Sequence, residues 1–132
     1  MQYLLDQKQE AMETNVMNSM VDLSYLKKLS KGNTRFMKEM IGIFRQQVTD
    51  SLRQMDEALN RRDWSVIRNV AHKLKAGYNT IGMKMLGQQA AELENKASDG
   101  SDTGRIEELV RSLRELTQAG LKELHEEEMK LV

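Results

Sequence analysis

No proline occurs anywhere in the 132 residues of this chain, and that absence constrains the fold more than any other feature. Proline lacks a backbone N–H, and its ring collides with the carbonyl four residues back. It therefore costs a helix interior about 3 kcal/mol. A chain without it can run long helices unbroken. The remaining composition agrees: Leu, Met, Glu, Gln, Lys, Arg and Ala dominate, and aromatic residues make up only 5%. These are the strongest helix formers. The expected fold class is all-α.

Apolar spacing divides the chain into helices. From Asn33, a plausible cap behind the breaker Gly32, the residues Phe36, Met40, Ile41, Phe44, Val48, Leu52, Met55 and Leu59 recur at three- and four-residue steps. Arg61-Arg62-Asp63 interrupts the pattern, and Asp63 can cap the next stripe, Ile67, Val70, Ala71, Leu74, Tyr78 and Ile81, which Gly82 ends. A third stripe carries Leu86, Ala90, Leu93 and Ala97. After the polar loop 98–104, a fourth runs through Ile106, Leu109, Val110, Leu113, Leu116, Gly120 and Leu124. Short connections put successive helices side by side, so the spacing predicts an antiparallel up-down four-helix bundle over 22–128. A short additional helix should lead it, with Asp22 as cap and Leu23, Leu26 and Leu29 facing inward. Residues 1–21 show weak helical spacing at Leu5, Met12, Val16 and Met20, and are read as an N-terminal helix or a linker segment. Met37, Met40, Met55, Met83 and Met85 lie on or beside the stripes and read as core filler.

Charge and cysteine usage exclude several function classes. Twenty bases balance twenty acids, so a protein that coats nucleic acid or an anionic membrane is not expected, since both need a broad positive field. With no cysteine there is no disulfide, thiol nucleophile or thiolate metal site, and no clustered acidic or histidine ligand set suggests a metal. Apolar runs are only a few residues long, as at Met40-Ile41, against the roughly 20 a membrane span needs. The N-terminus Met1-Gln2-Tyr3-Leu4-Leu5-Asp6 has neither the basic lead nor the sustained apolar core of a secretory signal. A cytoplasmic, monomeric protein, or a cytoplasmic fragment of a larger one, is the expectation.

Of the two histidines, His125 sits in the charged run Leu124-His125-Glu126-Glu127-Glu128 and reads as solvated surface. His72 falls about 140° from the centre of its helix's core stripe at ~100° per residue. Arg68, Lys75 and Asn79 share its side, at i−4, i+3 and i+7. On the following helix Gly87, Ala91 and Glu94 follow one another at four and three residues; the small pair would admit a close neighbour, and Glu94 could then reach His72. A carboxylate that accepts a hydrogen bond from Nδ1–H fixes the tautomer and leaves Nε2 as a nucleophile. The bland alternative is a surface histidine on a solvated helix face. From Arg61 to Lys84 six bases (Arg61, Arg62, Arg68, Lys73, Lys75 and Lys84) stand against the single acid Asp63.

The string Ala71-His72-Lys73-Leu74-Lys75-Ala76-Gly77, followed by Ile81-Gly82, resembles the phosphoacceptor motif of the histidine-containing phosphotransfer (HPt) family. That motif reads roughly A-H-x-L-K-G-S, with a glycine ten residues beyond the histidine. Ala71, His72, Leu74, Lys75 and Gly82 match in register, while Ala76 replaces the usual glycine and Gly77 the usual serine. Asp22-Leu23-Ser24-Tyr25-Leu26 and the segment from Phe36 to Phe44 look like the family's opening helices, and the likeness spans about 22–125. The resemblance implies phosphorelay signalling in a two-component system. His72 would be the phosphoacceptor, Lys75 would stabilise phosphoryl charge, and Glu94 would orient the imidazole. Arg68, Asn79 and Gly82 would belong to a docking surface for receiver (response-regulator) domains and a hybrid histidine kinase. The domain would need no cofactor of its own and have no autokinase activity, the Mg²⁺ sitting on the receiver. Three other readings compete, and a helical nucleic-acid binder is disfavoured by the neutral net charge and the lack of a recognisable reading motif. A histidine-kinase dimerisation domain is disfavoured by His72-Lys73 and the lack of proline. A helical adapter or scaffold without phosphotransfer has the same composition.

Overall fold

The computed structural model describes residues 19–132, so Leu5, Met12 and Val16 of the N-terminal pattern lie outside the described residues. Five helices follow one another: α1 (Ser24–Leu29), α2 (Thr34–Asn60), α3 (Trp64–Ile81), α4 (Lys84–Ala97) and α5 (Thr103–Met129). Among the described residues there is no strand. Each of α2 to α5 packs on the next, α5 returns to α2, and α1 rests on α3. The result is the expected four-helix bundle with one short extra helix. No helix among the described residues is long and apolar enough to cross a membrane.

Side-chain caps start three of the four long helices. The Asn33, Asp63 and Asp102 side chains accept the backbone N–H of Phe36, Val66 and Arg105, each satisfying a donor that the first turn leaves without a partner. Because Asp102 is the cap, Thr103 and Gly104 belong to α5, and the polar loop is shorter than the sequence suggests. At α1 the cap position falls on Leu23, while the Asp22 carboxylate accepts both the N–H and the hydroxyl of Ser24. Residues 19–22 carry no helix.

The buried stripes follow the 3.6-residue period more strictly than the amino-acid types alone suggest. On α2 the buried set is Met37, Ile41, Phe44, Val48, Leu52, Met55 and Ala58. Phe36 and Leu59 each lie one residue, about 100°, off that line. Phe36 is consequently exposed, and Leu59 only partly buried. On α1 only Leu26 is fully buried, Leu23 is partly so, and Leu29 is exposed, because a helix of six residues offers one narrow face to its support. Met37, Met55 and Met83 fill the core, Met40 half does so, and Met85 faces out.

Helix length accounts for the placement of α1. With 27 residues each, α2 and α5 outreach α3 with 18 and α4 with 14. The turns joining α2 to α3 and α4 to α5 keep one end of the bundle level, so the excess projects at the other. There the leading segment fills the step. The N–H of Asp22 donates to the carbonyl of Gly82 at 3.0 Å, and the Glu123 carboxylate accepts from Val21 N–H and the Ser19 hydroxyl.

Candidate functional site

The site lies midway along α3, and the register of that helix determines what it presents. Ile67, Val70, Ala71, Leu74, Tyr78 and Ile81 are buried, which turns Arg68, His72 and Asn79 outward. The partner helix α4 approaches closely because its facing residues are small. A Cβ at Gly87 would overlap the amide oxygen of Asn79, so the Asn79 side chain occupies a notch that only glycine leaves open. Ala90 is fully buried beside it.

This approach brings Glu94 of α4 to α3. His72 Nδ1 lies 2.8 Å from Glu94 Oε1, and Lys75 Nζ donates to Glu94 Oε2 at 3.0 Å. The His72 side chain is 65% exposed, Lys75 34% and Glu94 26%. Hydrogen bonds from Lys75 first and His72 second, against a smaller opposing effect of burial, hold the Glu94 carboxyl below the usual carboxylate range. At neutral pH Glu94 is an anion with no proton to give, so the shared proton sits on His72 Nδ1. In the neutral imidazole this leaves the Nε2 lone pair free, on a ring open to water. Partly exposed ion pairs contribute only ~0.2–1 kcal/mol, so this arrangement does little for folding and much for the ring's orientation.

The other expected site residues distribute unevenly. Arg68 is exposed on the His72 face, one turn back. Asn79 is exposed but committed to the Gly87 notch. Gly82 does not belong to a docking surface: it is buried at φ +85°, and a Cβ there would run into the carbonyl of Asp22. Its role is to end α3 and let the leading segment cross. Within the basic run from Arg61 to Lys84, three cations face acids of this chain. Arg62 bonds Glu107 at 2.7 Å on α5, Lys75 is held by Glu94, and Lys84 lies near Asp22.

Sequence reasoning missed a groove of about 690 Å³ between α2 and α3. Met40, Ile43, Phe44, Ala76, Gly77 and Thr80 line its apolar part. His72 and Lys73 edge it, opposite Gln47, Asp50, Ser51 and Gln54. Ile43, half exposed there, is the signal that was available: a large β-branched residue beside the buried line of α2, three residues from Met40 and four from Gln47. The unusual Gly77 faces the Phe44 ring, and a Cβ there would make ordinary contact at 3.4 Å. Among the described residues no three His, Cys, Asp or Glu side chains converge to hold a metal ion.

The sequence model of the Hpt domain matches residues 39–127, a span that includes His72, Lys75 and Glu94. No curated protein matches the chain. Among solved structures, the chain is similar to the crystal structure of histidine-containing phosphotransfer protein B (HptB) from Pseudomonas aeruginosa PAO1. The TM-score is 0.77 at 21% identity, over 86% of this chain and 97% of that one. That likeness concerns the fold.

Proposed function

This chain belongs to the Hpt domain family, and from that premise we propose that it is a phosphorelay intermediate in which His72 Nε2 is the phosphoacceptor. The supporting observation is the Nδ1–Glu94 contact of 2.8 Å on a ring that is otherwise open to solvent. Because the carboxylate fixes the proton on Nδ1, Nε2 is the nucleophile before any partner arrives. In the forward step Nε2 attacks the phosphorus of a receiver's aspartyl phosphate. The Nε2–P bond forms, the P–O bond breaks, and the aspartate leaves as a carboxylate. The phosphorylated ring keeps its Nδ1 proton and becomes a cation, which Glu94 stabilises. Attack by a second receiver's aspartate reverses these bonds. The Mg²⁺ that such chemistry uses would be supplied by the receiver.

Both partners are whole domains, so the ring must lie beside a surface that can dock one. The groove of α2 and α3 provides an apolar stretch around Ile43, Ala76 and Gly77, and His72 stands at its edge. The test is incubation with a phosphorylated receiver, comparing wild type with His72→Gln. Acid-labile, alkali-stable label is expected on the wild type alone. Equal labelling of both proteins would remove His72 from the chemistry, and labelling of neither would favour a helical adapter without phosphotransfer.

A further inference from the structure

The Lys75 ammonium does not face open solvent beside His72 Nε2. It is bonded to the carboxylate that also holds the ring, at 3.0 Å from Oε2, while Nδ1 lies 2.8 Å from Oε1. One carboxylate thus serves two donors. We propose that Glu94 holds Lys75 in reserve: it pairs the ammonium while His72 is unmodified, and phosphorylation of Nε2 draws that ammonium across to the phosphoryl oxygens. The exchange rests on the reading of His72 as phosphoacceptor and adds a positioning role for Glu94 toward a second residue.

Charge drives the exchange in both directions. Before phosphorylation, among the described residues, the anion bonded to Lys75 is Glu94. Afterwards a phosphoryl dianion lies on the ring and offers the ammonium a second, more highly charged acceptor for a charge-assisted bond. Meanwhile the ring has become a cation, so the carboxylate that Lys75 leaves gains a charged donor at Nδ1 in its place. Neither group is left unpaired. The movement asks little of the protein, since Lys75 lies one turn along the same helix and its four-carbon stem is flexible. The pair is partly exposed, at 34% and 26%, so no buried packing has to open. Glutamate is required for this: a glutamine at 94 could still accept the Nδ1 proton but could not hold the ammonium as an ion pair.

Phosphoramidate tests the proposal without a receiver. Nε2 attacks its phosphorus, the Nε2–P bond forms as the P–N bond breaks, ammonia leaves, and the Nδ1 proton stays on the ring. The Lys75 ammonium is followed by ¹H–¹⁵N NMR, assigned by its loss in Lys75→Gln, in untreated and phosphoramidate-treated protein. Its resonance is expected to move on phosphorylation, and in Glu94→Gln the untreated protein should already have lost the ion-paired position. An unmoved Lys75 resonance beside a formed phosphohistidine overturns the proposal alone. Absence of phosphohistidine at His72 overturns the functional reading, and the exchange with it. As a second readout, Lys75→Gln should lower the equilibrium yield of phosphohistidine about threefold when Glu94 is present and about tenfold in Glu94→Gln, since only the former trades one bond for another. Equal effects in the two backgrounds would also contradict the exchange.

Discussion

At Tyr78 a phenol is fully buried among the helices, and its hydroxyl meets the equally buried Thr117 hydroxyl of α5 at 2.7 Å. Burial raises the phenol to a pKa of about 12, the Thr117 hydrogen bond only partly opposing it. The consequence for stability has a definite sign. Between the ordinary tyrosine value of 10 and about 12 the unfolded chain has ionised and the folded one has not, so stability falls as pH rises through that window. Tyr78→Phe is expected to cost about 1–2 kcal/mol by leaving Thr117 without its partner, and adding Thr117→Val should recover part of it. Urea unfolding at pH 8 and pH 11 measures both effects. The alkaline loss should be smaller in Tyr78→Phe, and an identical loss would assign it to other groups. Residue types made much of this scale legible: a tyrosine on a core stripe, a histidine off one, a carboxylate within reach. Thr117 was not legible, because a threonine next to Leu116 gives no sign that it, and not the leucine, is the more deeply buried. Nor was the attachment of Lys75 to Glu94, since spacing along one helix says nothing about which cation a carboxylate on the next will take.

For the helices, the ends were more legible than the faces. Asn33 and Asp63 cap through side chains that act over three residues, a local interaction that sequence records directly, whereas Asp102 is hidden in a polar run and the first cap falls on Leu23 rather than Asp22. Faces depend on which side a neighbour covers, and so Phe36 and Leu29 came out exposed where apolarity alone pointed inward. Gly82 combines both kinds of information. Its left-handed conformation at the end of α3 is a local requirement, whereas its burial under Asp22 depends on a segment 60 residues earlier in the chain. Gly82→Ala meets two obstacles, a left-handed residue costing about 1–2 kcal/mol and a backbone overlap that cannot be relieved by a rotamer change. The expected result is a loss of at least about 2 kcal/mol in urea unfolding, with faster amide exchange at Asp22 as the leading segment lifts. A loss below about 0.5 kcal/mol would mean that Asp22 does not need to pack there.

Taken whole, the molecule divides its labour between a rigid support and one edge. The core of α2 to α5 places the middle of α3 at the surface, and the short residues of α4 bring Glu94 behind it. The groove of α2 and α3 then opens beside the ring. Bundle topology was legible because four stripes and short connections allow few arrangements. The groove was not, because it is a property of the space between two helices. If it docks a receiver, Ile43 is its exposed anchor, and truncating such an anchor commonly costs more than 1 kcal/mol of binding. Ile43→Asp is accordingly expected to raise the KM for a phosphorylated receiver about tenfold or more while the urea midpoint stays near that of wild type. An unchanged KM would move the docking surface elsewhere. The proposed phosphoacceptor role of His72 assigns the reaction to Nε2. Its most direct test is to phosphorylate the ¹⁵N-histidine-labelled protein and identify the bonded ring nitrogen by NMR. Phosphorus is expected on Nε2 with Nδ1 still protonated, and phosphorus on Nδ1 would overturn the proposed role.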